Sequence, residues 1–269
     1  MDNRPIGVFD SGIGGLSGVR ELKRELNNES IVYFGDTART PYGDKSPETI
    51  RQYTCQITDF LASKGVKMLV IACNTITALC LDVLRERYPD IPVVGIIAPT
   101  AKYMAQRENK HNIGVIATKA TINSGLYTKL LIESGVKTEV FAKATPLLVP
   151  IIEGGFAEGV VAETITKHYL DEMVNKNKIG SLILGCTHYP FVEQAIRTNY
   201  PELEIINPAT VLSKEVKKLL IENDMAAEDT NTPEYLFCAS DLSPTFKDIV
   251  SRINPDGRYT LECQSVENY

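Results

Sequence analysis

Apolar residues gather in short runs, and between the runs they recur at intervals of three and four. The runs cover residues 5–10, 31–35, 67–73, 93–97, 112–117, 138–142, 181–186, 204–206 and 235–238. Most are apolar nearly throughout rather than alternating, which is what strands need when both faces of a parallel sheet are covered. Residues 48–64 and 157–176 carry the spacing of amphipathic helices. Alternation of the two patterns describes βαβ units, so the fold class is α/β with mainly parallel sheets.

A weak internal repeat runs through this pattern. Ile6-Gly7-Val8 opens one series and Ile113-Gly114-Val115 another, and a second strand is expected at the same interval in each, at Ile31 and at Thr138. The third strand of each series ends in a cysteine, in Ala72-Cys73-Asn74-Thr75 and in Gly185-Cys186-Thr187-His188. The stretch from Gly7 to Cys73 is close in length to the one from Gly114 to Cys186. Two similar, pseudo-twofold related lobes follow, each with one cysteine at the same topological place. The last two strands, near Ile205 and Leu236, are too few for a third domain and are expected to complete the first. The expected lobes are therefore 1–97 plus 208–269, and 98–207, joined at Ala98-Pro99 and Asn207-Pro208, where proline disfavours regular continuation. Two crossings imply a hinge with a cleft beside it.

Composition narrows the function. Among 269 residues there are 28 Lys and Arg against 34 Asp and Glu, a net charge of -6, and no block of basic residues suits a phosphate backbone. Nucleic acid is not an expected partner. The start Met1-Asp2-Asn3-Arg4-Pro5 lacks the layout of a secretory signal, and no apolar run is long enough for a membrane span. A cytoplasmic protein with no membrane partner is expected. The six cysteines form no CxxC pair, and a chain of this size needs no disulfide staples, so free thiols are expected.

Ligands of open parallel sheets bind beyond the carboxyl ends of the strands. Four segments fall at such ends: residues 10–15, 35–43, 73–75 and 186–188. Gly12, Gly14 and Gly15 do not make the GxGxxG spacing, and no Walker lysine follows. Cys73 and Cys186 each precede a polar pair that could cap a helix, where the helix dipole favours thiolate. Each is a candidate base, against the reading that a strand-end cysteine is a small apolar filler. Cys55, Cys80, Cys238 and Cys263 lack this context and are assigned to packing. In a flavodoxin-type strand order Asp10 would lie near Cys73 and could orient a proton on it. The matching position of the second series is Thr118, which cannot titrate usefully, so His188 or Glu153 is the expected partner of Cys186. His111 and His168 read as surface positions. Metal binding is disfavoured because close ligand pairs are lacking, and pyridoxal phosphate because no placed lysine is offered. Two thiols brought by symmetric elements to opposite faces of one carbon would invert it, the chemistry of a cofactor-independent racemase or epimerase. A thiol hydrolase built on Cys186 and His188 would leave Cys73 unexplained. A binding protein for an acidic amino acid would not need either thiol.

The segments Phe9-Asp10-Ser11-Gly12-Ile13-Gly14-Gly15-Leu16, Tyr33 to Gly43, Ala72-Cys73-Asn74-Thr75 and Gly185-Cys186-Thr187-His188-Tyr189-Pro190 resemble the signature segments of bacterial glutamate racemases, over about residues 5–240. The resemblance implies two flavodoxin-like lobes with the active site in the cleft between them, often as a homodimer. It also implies cofactor-free interconversion of L- and D-glutamate, supplying D-glutamate for peptidoglycan in cell wall biogenesis and the upkeep of cell shape. Cys73 and Cys186 would be the acid/base pair, Cys73 acting on D-glutamate and Cys186 on L-glutamate, with Asp10, Glu153 and His188 in support. Substrate contacts would come from Asp10, Ser11, Tyr42, Gly43, Asn74, Thr75, Thr187 and His188. Ser17-Gly18 and Thr145 depart from the usual residues of that family, and the resemblance assigns no role to the tail after Ser240. Aspartate, one methylene shorter, is the alternative substrate.

Overall fold

A computed structural model describes residues 1–269 except Asn109. Its ten strands are β1 Ile6–Asp10, β2 Ile31–Gly35, β3 Met68–Ile71, β4 Val93–Gly95, β5 Asn112–Ala117, β6 Val140–Ala144, β7 Ile179–Gly185, β8 Glu204–Ile206, β9 Tyr235–Ala239 and β10 Thr260–Cys263. They form two parallel sheets, ordered β10-β9-β2-β1-β3-β4 and β6-β5-β7-β8. The chain divides into two compact units, Met1–Ile96 with Ala209–Tyr269, and Ile97–Pro208. In the first unit β1, β2 and β3 are buried at every residue, as strands with helices on both faces must be.

The repeat is explicit in the strand order. Each sheet contains a second-first-third-fourth arrangement, β2-β1-β3-β4 in one and β6-β5-β7-β8 in the other. Gly7 pairs with Leu69 and Gly114 with Leu182. At Gly7 a Cβ would come 3.1 Å from Val66, and at Gly114 one would come 2.5 Å from Ile179, so the close approach of neighbouring side chains accounts for glycine at both places. Further along, Phe9 pairs with Ile71 and Ile116 with Leu184. Cys73 and Cys186 therefore each follow by two residues a matched pair of the central strands.

Several expectations need correction. The strand near Ile205 does not complete the first unit: Ile205 pairs with Leu182, so β8 extends the second sheet. It follows its own βα unit through the helix Glu193–Asn199 and lands beside β7, as consecutive parallel strands commonly do. The strand near Leu236 does join the first sheet, on β2. β6 starts at Val140, the partner of Ile113, and not at Thr138 as the matched intervals imply. A tenth strand, β10, has no counterpart in the apolar runs. It lies at a sheet edge beside β9, a place that leaves much of a strand in water, and none of its four residues is buried. Cys263 is exposed and not a packing residue.

The helix expected at 48–64 spans Pro47–Ser63, started by Ser46, whose Oγ accepts from the Thr49 N–H at 3.2 Å, and by Pro47 in the first turn. The one expected at 157–176 spans Gly159–Asn175. No described helix is long and apolar enough to cross a membrane.

One buried charge ties the first unit together. Lys67 is fully buried, and its Nζ lies 2.6 Å from Glu29 Oε2 while donating to the Met225 carbonyl at 2.7 Å and to that of Asp2. Glu29 in turn accepts from the Ala227 N–H at 2.8 Å. Lys67→Met would leave the Glu29 carboxylate buried beside a thioether, and removal of one partner of such a pair costs about 3 to 5 kcal/mol. Urea unfolding followed by circular dichroism should show that loss; a loss under about 1 kcal/mol would mean that the pair does not hold the fold.

Candidate active site

In the first unit the proposed residues converge at the carboxyl ends of β1 and β3. Asp10, the last residue of β1, is fully buried, and its Oδ2 accepts from the N–H groups of Gly12 at 3.1 Å and Gly15 at 2.9 Å. The carboxylate thus folds the following turn back over itself. A Cβ at Gly15 would sit 2.3 Å from Asp10 Cβ and 2.7 Å from Tyr33 Oη, so this turn closes only around glycine. Tyr33, buried in β2, donates its hydroxyl to the Gly12 carbonyl at 2.6 Å. Burial first, and then the Asp10 charge, holds this phenol well above its ordinary pKa, so it remains a donor. The resulting loop presents Ser11, whose Oγ lies 3.7 Å from Cys73 Sγ.

Cys73 is itself the N-cap of the helix Asn74–Arg87. The polar pair Asn74-Thr75 therefore lies inside the first turn rather than capping it. This placement puts Cys73 at the positive end of a helix dipole, which favours a negative charge there. The first N–H groups of a helix have no partner within it, and a carboxylate is their natural acceptor. Asn74 and Thr75 are both buried at this end.

Tyr42 arrives from the loop after β2. Its ring is 1% exposed and its hydroxyl proton goes to the fully buried Asp36. Burial and the Asp36 carboxylate both push this phenol far above its ordinary pKa. The Tyr42 hydroxyl is thereby committed to Asp36, and Gly43 beside it is half-buried.

The second unit uses different partners. Cys186 follows β7 and is 8% exposed. What comes next is not a full helix but one short 3₁₀ turn, Tyr189–Val192, then the helix Glu193–Asn199. The dipole argument made from sequence is therefore weaker here than at Cys73. Side chains take its place: His188 Nδ1 is 3.9 Å from Cys186 Sγ, and His188 Nε2 is 3.1 Å from Glu153 Oε1. Glu153, at the end of the helix Leu148–Glu153, keeps 32% of its side chain exposed, whereas His188 keeps 4%. The three groups make a proton path from a solvent-reachable carboxylate through an imidazole to a thiol. Thr187 is buried between the two. By strand register the equivalent of Asp10 is Ala117, the last residue of β5, and not Thr118 as expected; Thr118 lies one residue further on and caps a helix by accepting from the Thr121 N–H at 3.4 Å.

Two tyrosines that sequence reasoning left without a role surround Cys186. Tyr189 shares a 2.6 Å hydrogen bond with Thr145, one of the departures from the family pattern, and Tyr127 is bonded to Thr100. Both are raised by burial first and then by proximity to Cys186. Asp36 and Tyr33 were likewise missed. The available signal was that a tyrosine or aspartate inside an apolar strand or at its end must find a hydrogen-bond partner. By contrast, Cys80 and Cys238 are core thiols, pushed by burial to about 11 and about 12. His111 and His168 are exposed. Among the described residues no three His, Cys, Asp or Glu side chains are grouped to hold a metal ion.

Residues 6–216 match the family described as Asp/Glu/Hydantoin racemase. A glutamate racemase of Neisseria meningitidis is 40% identical over 249 residues, 93% of this chain and 92% of that protein. One of Lactococcus lactis subsp. lactis is 38% identical over 270 residues, 100% of this chain and 98% of that protein. The crystal structure of glutamate racemase from Francisella tularensis in complex with D-glutamate aligns with a TM-score of 0.91 at 39% identity, covering 100% of both chains. That from Thermus thermophilus in complex with beta-chloro-D-alanine gives 0.86 at 34%, again over 100% of both. The chain belongs to the Asp/Glu/Hydantoin racemase family and is an isomerase of the amino-acid racemase class.

Proposed function

We propose that this chain is a glutamate racemase working by two bases, Cys73 and Cys186, without a cofactor. The observation that carries the reading is the equivalence of the two thiols: each lies two residues beyond a matched pair of central strands in a repeated unit. Relatives bearing the name glutamate racemase at about 40% identity, and the D-glutamate complex among the similar structures, support glutamate as substrate.

In the mechanism, a thiolate removes the α-proton while the other cysteine, as thiol, delivers a proton to the opposite face. For Cys73 the helix N-terminus favours the charged form, and the thiol proton is directed at Ser11 Oγ, 3.7 Å away. For Cys186 the proton is managed by His188, oriented by Glu153. The substrate carboxylate, which gains charge as the proton leaves, is met by the N-terminus of the helix starting at Asn74. Asp10 contributes by holding the turn after it closed. Asn74, Thr75, Thr187 and His188 supply the remaining polar contacts, and Ser11, Tyr42 and Gly43 border the substrate.

The same resemblance supports a cytoplasmic enzyme that supplies D-glutamate for peptidoglycan. Self-association as a homodimer is supported by the exposed apolar side chains of Leu147, Phe156, Val160 and Val161, since single-chain surfaces rarely leave several such residues in water close together in sequence.

Circular dichroism of L-glutamate and L-aspartate incubated separately with the protein should show loss of signal for glutamate at the higher kcat/KM; preference for aspartate would overturn the substrate assignment. In D2O, deuterium should enter Cα of the product from either enantiomer, and full retention of the original proton would reject the two-base scheme. Cys73→Ser and Cys186→Ser should each abolish racemisation. His188→Asn should lower kcat/KM about a hundredfold, equally in both directions because the enantiomers have equal free energy. Activity should survive dialysis against a chelator and the absence of pyridoxal phosphate, and dependence on either would defeat the cofactor-free scheme.

A further inference from the structure

The loop that brings Tyr42 and Gly43 to the site is built around a single carboxylate. Asp36 is fully buried at the end of β2. Its Oδ1 accepts from Ser240 Oγ at 2.9 Å and from Arg39 Nε at 3.0 Å. Its Oδ2 accepts from Arg39 Nε at 2.8 Å and from the Tyr42 hydroxyl. Its own N–H donates to the Asp10 carbonyl at 3.2 Å, which couples it to the turn beside Cys73.

The C-terminal segment that follows β9 holds this arrangement from the other side. Ser240 is its first residue, and besides donating to Asp36 its Oγ accepts from the Ala38 N–H at 2.9 Å. Thr37 and Asp241 bond reciprocally: Thr37 Oγ1 donates to the Asp241 carbonyl at 2.6 Å and accepts from the Asp241 N–H at 2.9 Å. Arg39 continues the chain outward. Its Nη1 donates to Gln56 Oε1 at 2.6 Å, and Gln56 Nε2 donates to the Glu267 carbonyl at 3.1 Å. That carbonyl is itself held in place, because neighbouring Val266 is 1% exposed in the same apolar cluster as Tyr42 and Cys73, and the Tyr269 ring meets Phe60 edge-on at 5.5 Å.

We propose that Asp36 is a positioning residue of the glutamate site, and that the C-terminal segment, through Ser240, Asp241 and Glu267, keeps the 36–43 loop in its substrate-binding form. Asp36 touches no reacting atom; it acts through Tyr42 and Gly43. The inference rests on the reading of the chain as a glutamate racemase, and it assigns a role to a tail that sequence motifs left without one. Its physical basis is that charge-assisted hydrogen bonds inside a protein are the strong ones, and one carboxylate here accepts from three side chains.

Because the loop binds rather than reacts, its loosening should appear in KM. Ser240→Ala removes one donor to a buried carboxylate, and KM should rise about tenfold for both L- and D-glutamate, with kcat within twofold. Ser240→Thr, which restores a hydroxyl, should bring KM back. Hydrogen exchange at residues 37–43 should quicken in Ser240→Ala and recover in Ser240→Thr, a readout that needs no turnover. Asp36→Asn should raise KM further, and Ser240→Ala decides the matter if that variant does not fold. A Ser240→Ala protein with unchanged KM and unchanged exchange, or with kcat lowered at constant KM, overturns the proposal. Wild-type protein that leaves glutamate unracemised overturns the reading beneath it instead, while quickened exchange would still support the latch.

Discussion

A parallel strand buried on both faces has one place to offer chemistry, its carboxyl end, because everywhere else a polar group would lie inside the core without water. That constraint decides where Asp10, Asp36, Cys73 and Cys186 stand. Each follows or closes an apolar strand, where the chain leaves the sheet and a polar side chain can find hydrogen-bond partners. In a paired sheet the ends of neighbouring strands also lie side by side, so residues remote in sequence meet there. Asp10 and Cys73 are brought together because β1 lies next to β3, and the Asp36 N–H reaches the Asp10 carbonyl because β2 lies on the other side.

The two units meet the same demand with different means. At Cys73 a helix begins at the cysteine itself, which puts the thiol at the positive end of a backbone dipole. At Cys186 the following turn is short, and an imidazole with a carboxylate behind it stands beside the thiol. A repeat therefore preserves strand order and register while the side chains around each thiol diverge. Buried tyrosines accompany both thiols. Tyr33, Tyr127 and Tyr189 are kept as phenols by burial and by the neighbouring negative groups, and so do not act as acids.

Buried polar groups with several partners each fix the backbone around them. Asp10 organises a glycine-rich turn, Asp36 the loop after β2, and Lys67 the opposite end of β3. Such groups are costly unless every partner is present, so each also selects one backbone conformation. Gly15 shows how narrow the tolerance is, since a single methylene there would collide with the Asp10 side chain it was meant to accompany.

Much of this was legible in the chain. Runs such as Ile31-Val32-Tyr33-Phe34 announce buried parallel strands, and Ser46-Pro47 announces a helix start, because both depend on local periodicity and capping. The equivalent places of Cys73 and Cys186 in the two strand series were legible through repetition. What could not be read depends on partners far away in sequence. β10 is a short edge strand with no buried residue, and β8 belongs to the second sheet only because of its pairing with β7. That Tyr42 spends its hydroxyl on Asp36, and that Asp36 is held by Ser240, follows from strand order, which places β9 against β2. Local residues determine which elements form and which side chains stand at their ends; the sheet decides which of those ends become neighbours, because hydrogen-bonded register is a property of pairs of strands and not of either strand alone.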